Sequence, residues 1–246
     1  MKKLLIIPCL LAFTATFGQS VDEVLDTYFE NIGGKENLAK VKGTKMTAKV
    51  NQGGLEIPLE MVQLADGKQY TKFSLQGNEF FQNVYDGETL WSINFQSMKA
   101  EKMDAEQTAN YKLDINDFPD VFLNYKEKGY QIEMVGEETI DGAETFKLKV
   151  VKEPKMLDGK EVEDVSYYYF DKEAFVPLAI DSEIKSGQAA GMISRTTFSD
   201  YQEVDGIYFA FSIGQGVKGG ESNPINIDEI VLNPKVDEKA FAFPAN

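Results

Sequence analysis

Residues 20–33, SVDEVLDTYFENIG, predict an amphipathic helix around which the rest of the fold is expected to form. Apolar side chains recur there at the three- and four-residue spacing of one helix face: Val21, Val24, Leu25, Tyr28, Phe29 and Ile32. Ser20 followed by Glu23 forms a capping box, and Gly33 is a C-terminal stop. Six such side chains contribute on the order of 10 kcal/mol when buried, before chain ordering is counted. Because almost everything after this helix alternates like strands, we expect a curved sheet to cover it.

The beginning of the chain has the pattern of a cleaved secretory signal. Two lysines precede an apolar run over residues 4–13, which is too short to span a bilayer, and small residues precede a cleavage position after Gly18. Acylation of Cys9, as in a lipoprotein, is the disfavoured alternative because a proline stands directly before it. We expect residues 1–18 to be removed and residues 19–246 to form a single domain without cysteine.

Composition excludes several classes of protein. The chain has 40 acidic and 25 basic residues, so its formal net charge of −15 repels nucleic acid and anionic lipid surfaces. It has no histidine and one arginine, Arg195, which excludes serine or cysteine triads with histidine, the common zinc sites and a guanidinium cluster for phosphate. We therefore predict a non-enzymatic protein with no catalytic residue, metal or cofactor. No later stretch is apolar for long enough to predict a membrane span.

The remaining sequence predicts a mainly β fold. Met46, Ala48 and Val50 alternate with polar residues, and similar runs follow along the chain, separated by five Asp-Gly turns. About eleven strands of this kind favour one antiparallel sheet curled toward a barrel. Helix formers and apolar spacing over residues 104–129 predict one or two short helices, placed as a flap over the concave side.

Two blocks of the chain resemble a known family. Residues 196–213, TTFSDYQEVDGIYFAFSI, resemble a hairpin of Bacteroidetes-type outer membrane lipoprotein-sorting proteins, relatives of the Lol periplasmic lipoprotein carriers. Residues 21–50 resemble their opening helix, Gly-Gly break and first strand, and residues 54–59 and 84–91 resemble shorter segments. The chain departs from the family at Ala210, where proline is expected, and it lacks the arginine that better-known carriers use inside the barrel to hold a lid closed.

This resemblance implies a half-open β-barrel with helices across the concave face and a cavity for the acyl chains of lipoproteins or other lipids. It implies a periplasmic location, a role in outer membrane lipoprotein sorting, and membrane-bound donor and acceptor proteins; we expect a monomer. The cavity needs adaptable apolar side chains, and we predict eight for its lining: Met46, Leu59, Met61, Phe73, Trp91, Ile93, Phe95 and Phe122. Ordinary core packing is the alternative explanation for each of them.

Other interpretations stay open at this point. A non-enzymatic envelope sensor or protein-interaction module would use the same concave face. A hydrolase with paired carboxylates is disfavoured, since no acid lies in an evidently apolar setting. Arg195 alternates with Thr196, which predicts a solvated position on the opposite face. Calcium-type ligands occur at Asp114, Asn116, Asp117 and Asp120. Phe118 breaks the loop spacing and no glycine permits the turn, so a helix cap with solvated acids is expected instead.

Overall fold

The computed structural model describes residues 19–244. The predicted signal segment with Cys9 lies outside the described residues. Within them, three α-helices span Val21–Asn31 (α1), Lys35–Leu38 (α2) and Ala105–Asp114 (α3). Fifteen strands follow in chain order: β1 Gly43–Gln52, β2 Leu55–Leu64, β3 Gln69–Leu75, β4 Asn78–Tyr85, β5 Leu90–Asn94, β6 Lys99–Lys102, β7 Gln131–Ile140, β8 Ala143–Val151, β9 Lys155–Leu157, β10 Lys160–Val162, β11 Val165–Asp171, β12 Pro177–Glu183, β13 Ile193–Val204, β14 Ile207–Val217 and β15 Ser222–Leu232.

Thirteen of these strands form one antiparallel sheet. Its order is β6-β5-β4-β3-β2-β1-β15-β14-β13-β12-β11-β8-β7, while β9 and β10 pair only with each other. Two meanders, β1 to β6 and β7 to β15, therefore meet where the first strand pairs with the last. The free edges are β6 and β7, so the sheet is not closed. The predicted mainly β, open antiparallel architecture is confirmed.

The strand number differs from the prediction of about eleven. The additional strands are short and each begins with a lysine: β6 is Lys99–Lys102, β9 is Lys155–Leu157 and β10 is Lys160–Val162. Strands of three or four residues with charged side chains lack the apolar alternation on which the prediction depends. Backbone pairing with a neighbouring strand, rather than burial of one face, defines them.

Helix α1 has the predicted beginning, end and buried face. The Ser20 hydroxyl accepts from the Glu23 N–H, and the Glu23 carboxylate accepts from the Ser20 N–H. The chain leaves the helix at Gly33, whose φ is +110°. A Cβ at this position would collide with the backbone oxygen of Gly206, so glycine allows the helix end to pack directly against the β13–β14 turn.

One face of the sheet, here called the inner face, packs against α1. Tyr28 of α1 makes edge-on ring contacts with Phe170 of β11 and with Phe122, at centroid distances of 5.4 and 6.0 Å. The opposite, outer face is covered on its β2–β5 half by the C-terminal residues 236–243. There the Trp91 indole N–H donates to the Phe241 carbonyl at 3.0 Å, in a buried position. The sheet therefore supports separate apolar clusters on its two faces.

The segment between the two free edges contains the predicted short helices over residues 104–129, as α3 and a 3₁₀ turn at Ile115–Asp117, but the helically spaced residues after them are not helical. Helix α3 forms as predicted, with Asp104 as its cap. Residues 118–130, here called the cover segment, form successive turns and no second helix. Asn124 has a φ of +56°, and the Asp120 carboxylate accepts from the Phe122 N–H, so a side chain replaces a helical backbone partner. The helically spaced apolar residues still pack into the core with α1.

The part of the chain that the structure describes contains no helix long and apolar enough to cross a membrane.

Candidate functional site

A pocket of about 310 Å³ lies between α1, the cover segment and the inner face of the sheet. Its volume is at the lower end of the usual range for small-molecule sites. Apolar and aromatic side chains dominate its walls, with two carboxylates among them. The lining residues are Tyr28, Met46, Asp117, Pro119, Asp120, Val121, Phe122, Tyr168, Pro177, Ile180, Phe198, Tyr201, Tyr208, Phe209, Ala210 and Ile213.

The pocket continues into a half-buried apolar surface on β1, β2, β14 and β15. Met46, Phe209 and Ile213 line the pocket and also pack with Leu59 and Met61 in one cluster. Beyond this cluster, Phe73 stacks on Phe80 at a centroid distance of 5.3 Å, and both rings contact Phe95. We call the surface from Met46 to Phe95 the apolar track. It extends the covered pocket toward the ends of β3, β4 and β5.

Most of the eight predicted lining residues lie along the pocket and the track. Met46 and Phe122 line the pocket itself. Leu59, Met61 and Phe73 are half-buried on the inner face beside it. Phe95 lies at the far end of the track in the β5–β6 turn and is 57% exposed. The structure thus brings six of the eight residues to one continuous surface.

Trp91 and Ile93 lie elsewhere. Both pack on the outer face, in the cluster with Phe241. A bulge in β4 causes this: Thr71 pairs with Gln82, but Gln69 pairs with Tyr85, which leaves one extra residue in β4. Val84 therefore moves to the outer face, and its partner Trp91 moves with it. These two residues are not part of the lining that we propose below.

Sequence reasoning missed the C-terminal half of the lining. Tyr168 on β11, Ile180 on β12, Phe198 on β13 and Ile213 on β14 are cross-strand neighbours or near neighbours on the inner face. Their alternation was visible in the sequence as strand pattern. The β1–β15 pairing joins these strands and the early strands into one surface. No local pattern in the sequence indicates that pairing.

A polar contact at the wall of the pocket joins α1 to the cover segment. The Tyr28 hydroxyl donates to Asp120 Oδ2 at 2.6 Å, and Asp120 Oδ1 accepts from the Phe122 N–H at 2.7 Å. Burial raises the pKa of the Asp120 carboxyl above its usual range, although these hydrogen bonds oppose the shift. Burial, together with the Asp120 charge, also raises the pKa of Tyr28 well above its usual value. The pair thus holds the cover segment to α1 and places a polar group in the wall of an apolar pocket.

A cluster of charged side chains holds the residues that lead into the cover segment. Lys152 Nζ lies 2.8 Å from Asp117, 3.1 Å from Asp114 and 3.3 Å from Asp164. Burial disfavours its charge, but the three aspartates outweigh that effect and raise the pKa of Lys152. Two of the acids that suggested a calcium loop therefore contact a lysine. Among the residues that the structure describes, no group of three or more potential metal-ligating side chains is placed to hold a metal ion.

Arg195 lies on the outer face, as predicted, but it is not freely solvated. Its guanidinium makes two hydrogen bonds of 2.6 and 2.7 Å with the buried carboxylate of Asp181 on the neighbouring strand. Lys218 and the Tyr169 hydroxyl bind the same carboxylate at 2.9 Å. These contacts hold the pKa of Asp181 below its usual range, although burial opposes them. The arginine thus fastens strands and does not reach the pocket.

Solved structures of other proteins have a similar arrangement of sheet and helices. One is a protein domain from Vibrio parahaemolyticus assigned to outer membrane lipoprotein sorting, with a TM-score of 0.52 at 12% identity, covering 89% of this chain and 94% of that chain. Another is a LolA superfamily protein from Nitrosomonas europaea, with a TM-score of 0.51 at 11% identity, covering 92% and 98%. The chain has a LolA-like fold.

A third structural match is a DUF1329 family protein from Desulfovibrio piger, with a TM-score of 0.54 at 16% identity, covering 92% of this chain and 98% of that chain. A scan against protein-family models and a search of curated proteins find no match. At these identities the structural likeness establishes the LolA-like fold. The closer resemblance to Bacteroidetes-type proteins stays a prediction.

Proposed function

We propose that this protein is a non-enzymatic carrier that binds the acyl chains of lipoproteins or other lipids on its inner face. The carrier would work in the periplasm, after removal of residues 1–18, as a single domain formed by residues 19–246. It would take its cargo from a membrane-bound donor and pass it to an acceptor during outer membrane lipoprotein sorting.

The single observation that carries this proposal is the pocket that opens onto the apolar track. An acyl chain needs a long, adaptable apolar surface, and each buried methylene contributes about 0.8 kcal/mol. About a dozen methylenes therefore contribute roughly 10 kcal/mol, which suits a reversible carrier when the surface is only partly covered. The methionines Met46 and Met61 add adaptability, since their side chains repack easily. The assignment of the Vibrio domain to outer membrane lipoprotein sorting supports the same class of cargo.

The direct test is native mass spectrometry with organic extraction, on mature protein purified gently from its own envelope. A lipid or acylated peptide at near one-to-one ratio supports the carrier and identifies its cargo. A protein that contains no lipid and also fails to bind a fluorescent acyl probe would contradict the proposal.

A pocket-filling variant tests the location of the cargo. Ile180 is half-buried in the pocket wall, so Ile180→Trp fills the space that the acyl chain needs; we expect at least tenfold weaker probe binding, at a stability cost of about 1–3 kcal/mol from overpacking. Val231→Trp adds the same ring at an exposed position of β15 and is the matched control. Equal probe binding by the two variants would place the cargo elsewhere.

An envelope sensor or protein-interaction module is the second candidate. The observation that favours it is a group of exposed apolar side chains in or beside turns at one end of the sheet: Leu55, Phe95, Met98 and Met192. Such a group suits contact with a partner. A stable protein complex isolated from the envelope, without lipid, would favour this function over the carrier.

A further inference from the structure

The pocket carries acidic and phenolic groups but no basic side chain. Among the described residues that line it, the ionisable ones are Asp117, Asp120 and four tyrosines. A pocket for a fatty carboxylate or a phosphate headgroup is expected to offer lysine or arginine to the anion. The charged side chains of this pocket are carboxylates, which carry the same sign as such a headgroup.

The nearby lysines are already engaged with protein groups. Lys128 Nζ donates to the backbone oxygens of Asp120 and Val121, at 3.0 and 3.4 Å. Lys152 binds Asp117 and the other aspartates of its cluster. Neither lysine forms part of the pocket wall. An anionic headgroup would therefore gain no direct cation there.

The carboxylate of Asp120 would repel an anionic headgroup directly. Within the described part of the chain its carboxylate has the Tyr28 hydroxyl and the Phe122 N–H as partners and no ion pair. A second carboxylate beside it, in a largely apolar enclosure, would raise the cost of ionising both groups. Burial already works against the charged form of Asp120, so a second negative charge beside it adds to that cost.

Uncharged oxygens find better partners on the same wall. The Tyr201 hydroxyl donates to the Pro177 carbonyl at 2.6 Å, which leaves its oxygen able to accept from a ligand hydroxyl. Tyr168 also lines the pocket, and among the described residues its hydroxyl has no hydrogen-bond partner, so it is able to donate to an ester or hydroxyl oxygen. A hydroxyl group is able to donate to Asp120 as well.

We propose that the pocket selects lipids whose end at Asp120 is uncharged, an acylglycerol-type group of hydroxyl and ester oxygens, and disfavours free fatty acids and phosphate headgroups. This inference rests on the proposed carrier function and assigns it a class of cargo. Asp120 sets the sign of the selection, and Tyr168 and Tyr201 provide the polar contacts.

The test compares ligands of one chain length on the mature protein at pH 7.5. Monolauroylglycerol, laurate and dodecyl phosphate each displace a fluorescent acylglycerol probe, below their micelle-forming concentrations. We expect monolauroylglycerol to displace the probe at concentrations at least tenfold lower than the two anions. Laurate displacing the probe as well as the acylglycerol does would overturn the inference and leave the carrier function intact.

Two variants assign the selection to one carboxylate. Asp120→Asn keeps an acceptor for Tyr28 but removes the charge, so the preference for acylglycerol over laurate should narrow toward equality. Asp228→Asn makes the same change at an exposed position of β15 and should keep the wild-type preference. An unchanged preference in Asp120→Asn would show that Asp120 is not the selecting group. If the probe itself does not bind to the wild type, the carrier function fails and the selectivity fails with it.

Discussion

The contact between Tyr28 and Asp120 combines two requirements in a single hydrogen bond. The Tyr28 ring belongs to the core between α1 and β11, and its hydroxyl reaches the cover segment at 2.6 Å. A tyrosine satisfies both because its ring is apolar and its end is polar. The sequence shows the apolar helix face to which Tyr28 belongs, but it does not show that the hydroxyl meets a carboxylate 92 residues away.

Replacing Tyr28 with phenylalanine tests this contact. The change keeps the ring and leaves a half-buried carboxylate without one of its two donors, so we expect the free energy of unfolding to fall by about 1–3 kcal/mol. Urea denaturation at neutral pH measures the difference. Tyr208→Phe removes a hydroxyl from a residue that is 41% exposed and should change stability little. Equal stability of the two variants would contradict the fastening role.

Glu60 on the outer face predicts a specific pH dependence. Burial alone would raise its pKa, but hydrogen bonds from Lys45, Tyr70 and Lys72 outweigh burial and lower the pKa to about 2. Because the folded-state pKa lies below the unfolded value, the stabilisation is present above pH 4.5 and is lost as the pH falls toward 2. Glu60→Gln should therefore be less stable than the wild type at pH 6.

We expect this stability gap to be about 1–2 kcal/mol, after allowing for solvent screening. It should close between pH 4.5 and pH 2, as measured by denaturant unfolding across that range. Glu56→Gln, an exposed position on the same strand, is the matched control. A gap that is constant with pH would show that the Glu60 charge is not responsible.

At the scale of elements, the connection between the two sheet edges depends on the Lys152 cluster. Lys152 lies directly after β8, has a side chain 14% exposed, and binds Asp114 at the end of α3 and Asp117 just before the cover segment. Hairpin β9–β10 adds hydrogen bonds to α3 through Asn110 and Glu106. Helix α3 is thus attached largely by polar contacts, whereas α1 and the cover segment are attached by apolar packing.

Lys152→Met removes the charge that three aspartates share. We expect a loss of about 2–4 kcal/mol in the free energy of unfolding, because the remaining carboxylates repel one another. Hydrogen exchange should accelerate in α3 and the cover segment more than in α1. Lys112→Met, on the exposed side of α3, should leave exchange unchanged. Uniform acceleration over the whole chain would indicate global destabilisation and contradict a local fastening.

Some elements were predictable from sequence for physical reasons that others lack. Helix α1 carries its cap, its apolar face and its stop within fourteen residues, so local signals are sufficient. The cover segment has the same apolar spacing, but the Asp120 side chain and the left-handed Asn124 replace helical hydrogen bonding. For β5, alternation separates Trp91 from its neighbours but cannot tell which face is inner, because the bulge in β4 decides that. The pocket depends on pairing between distant strands and was predicted only for its early half.

At the scale of the whole molecule, the two faces of the sheet have separate roles. The inner face carries the pocket and the track, while the outer face beneath residues 236–243 is a compact cluster around Trp91. Phe241 is 1% exposed in that cluster and contacts Tyr70. The single tryptophan therefore reports on the outer face and not on the proposed cargo.

Phe241→Ala tests this separation. We expect a loss of about 3–5 kcal/mol, typical of removing a buried phenylalanine, and a shift of Trp91 emission to longer wavelength as water enters. Binding of an acyl probe to the folded fraction should persist at wild-type affinity. Probe binding that disappears along with the emission shift, in protein that is still folded, would show that the two faces are coupled.

The pairing of β1 with β15 has a further consequence, for the order in which the chain folds. Every other neighbouring pair in the sheet is close in sequence, yet this pair brings residues 44–50 to residues 225–232. Such a distant contact must close a long loop before it stabilises anything, so we expect it to form late and to limit the folding rate. A circular permutant that joins the existing ends and opens the chain within residues 104–130 would turn the sheet into one continuous meander, and it should fold faster into the same structure.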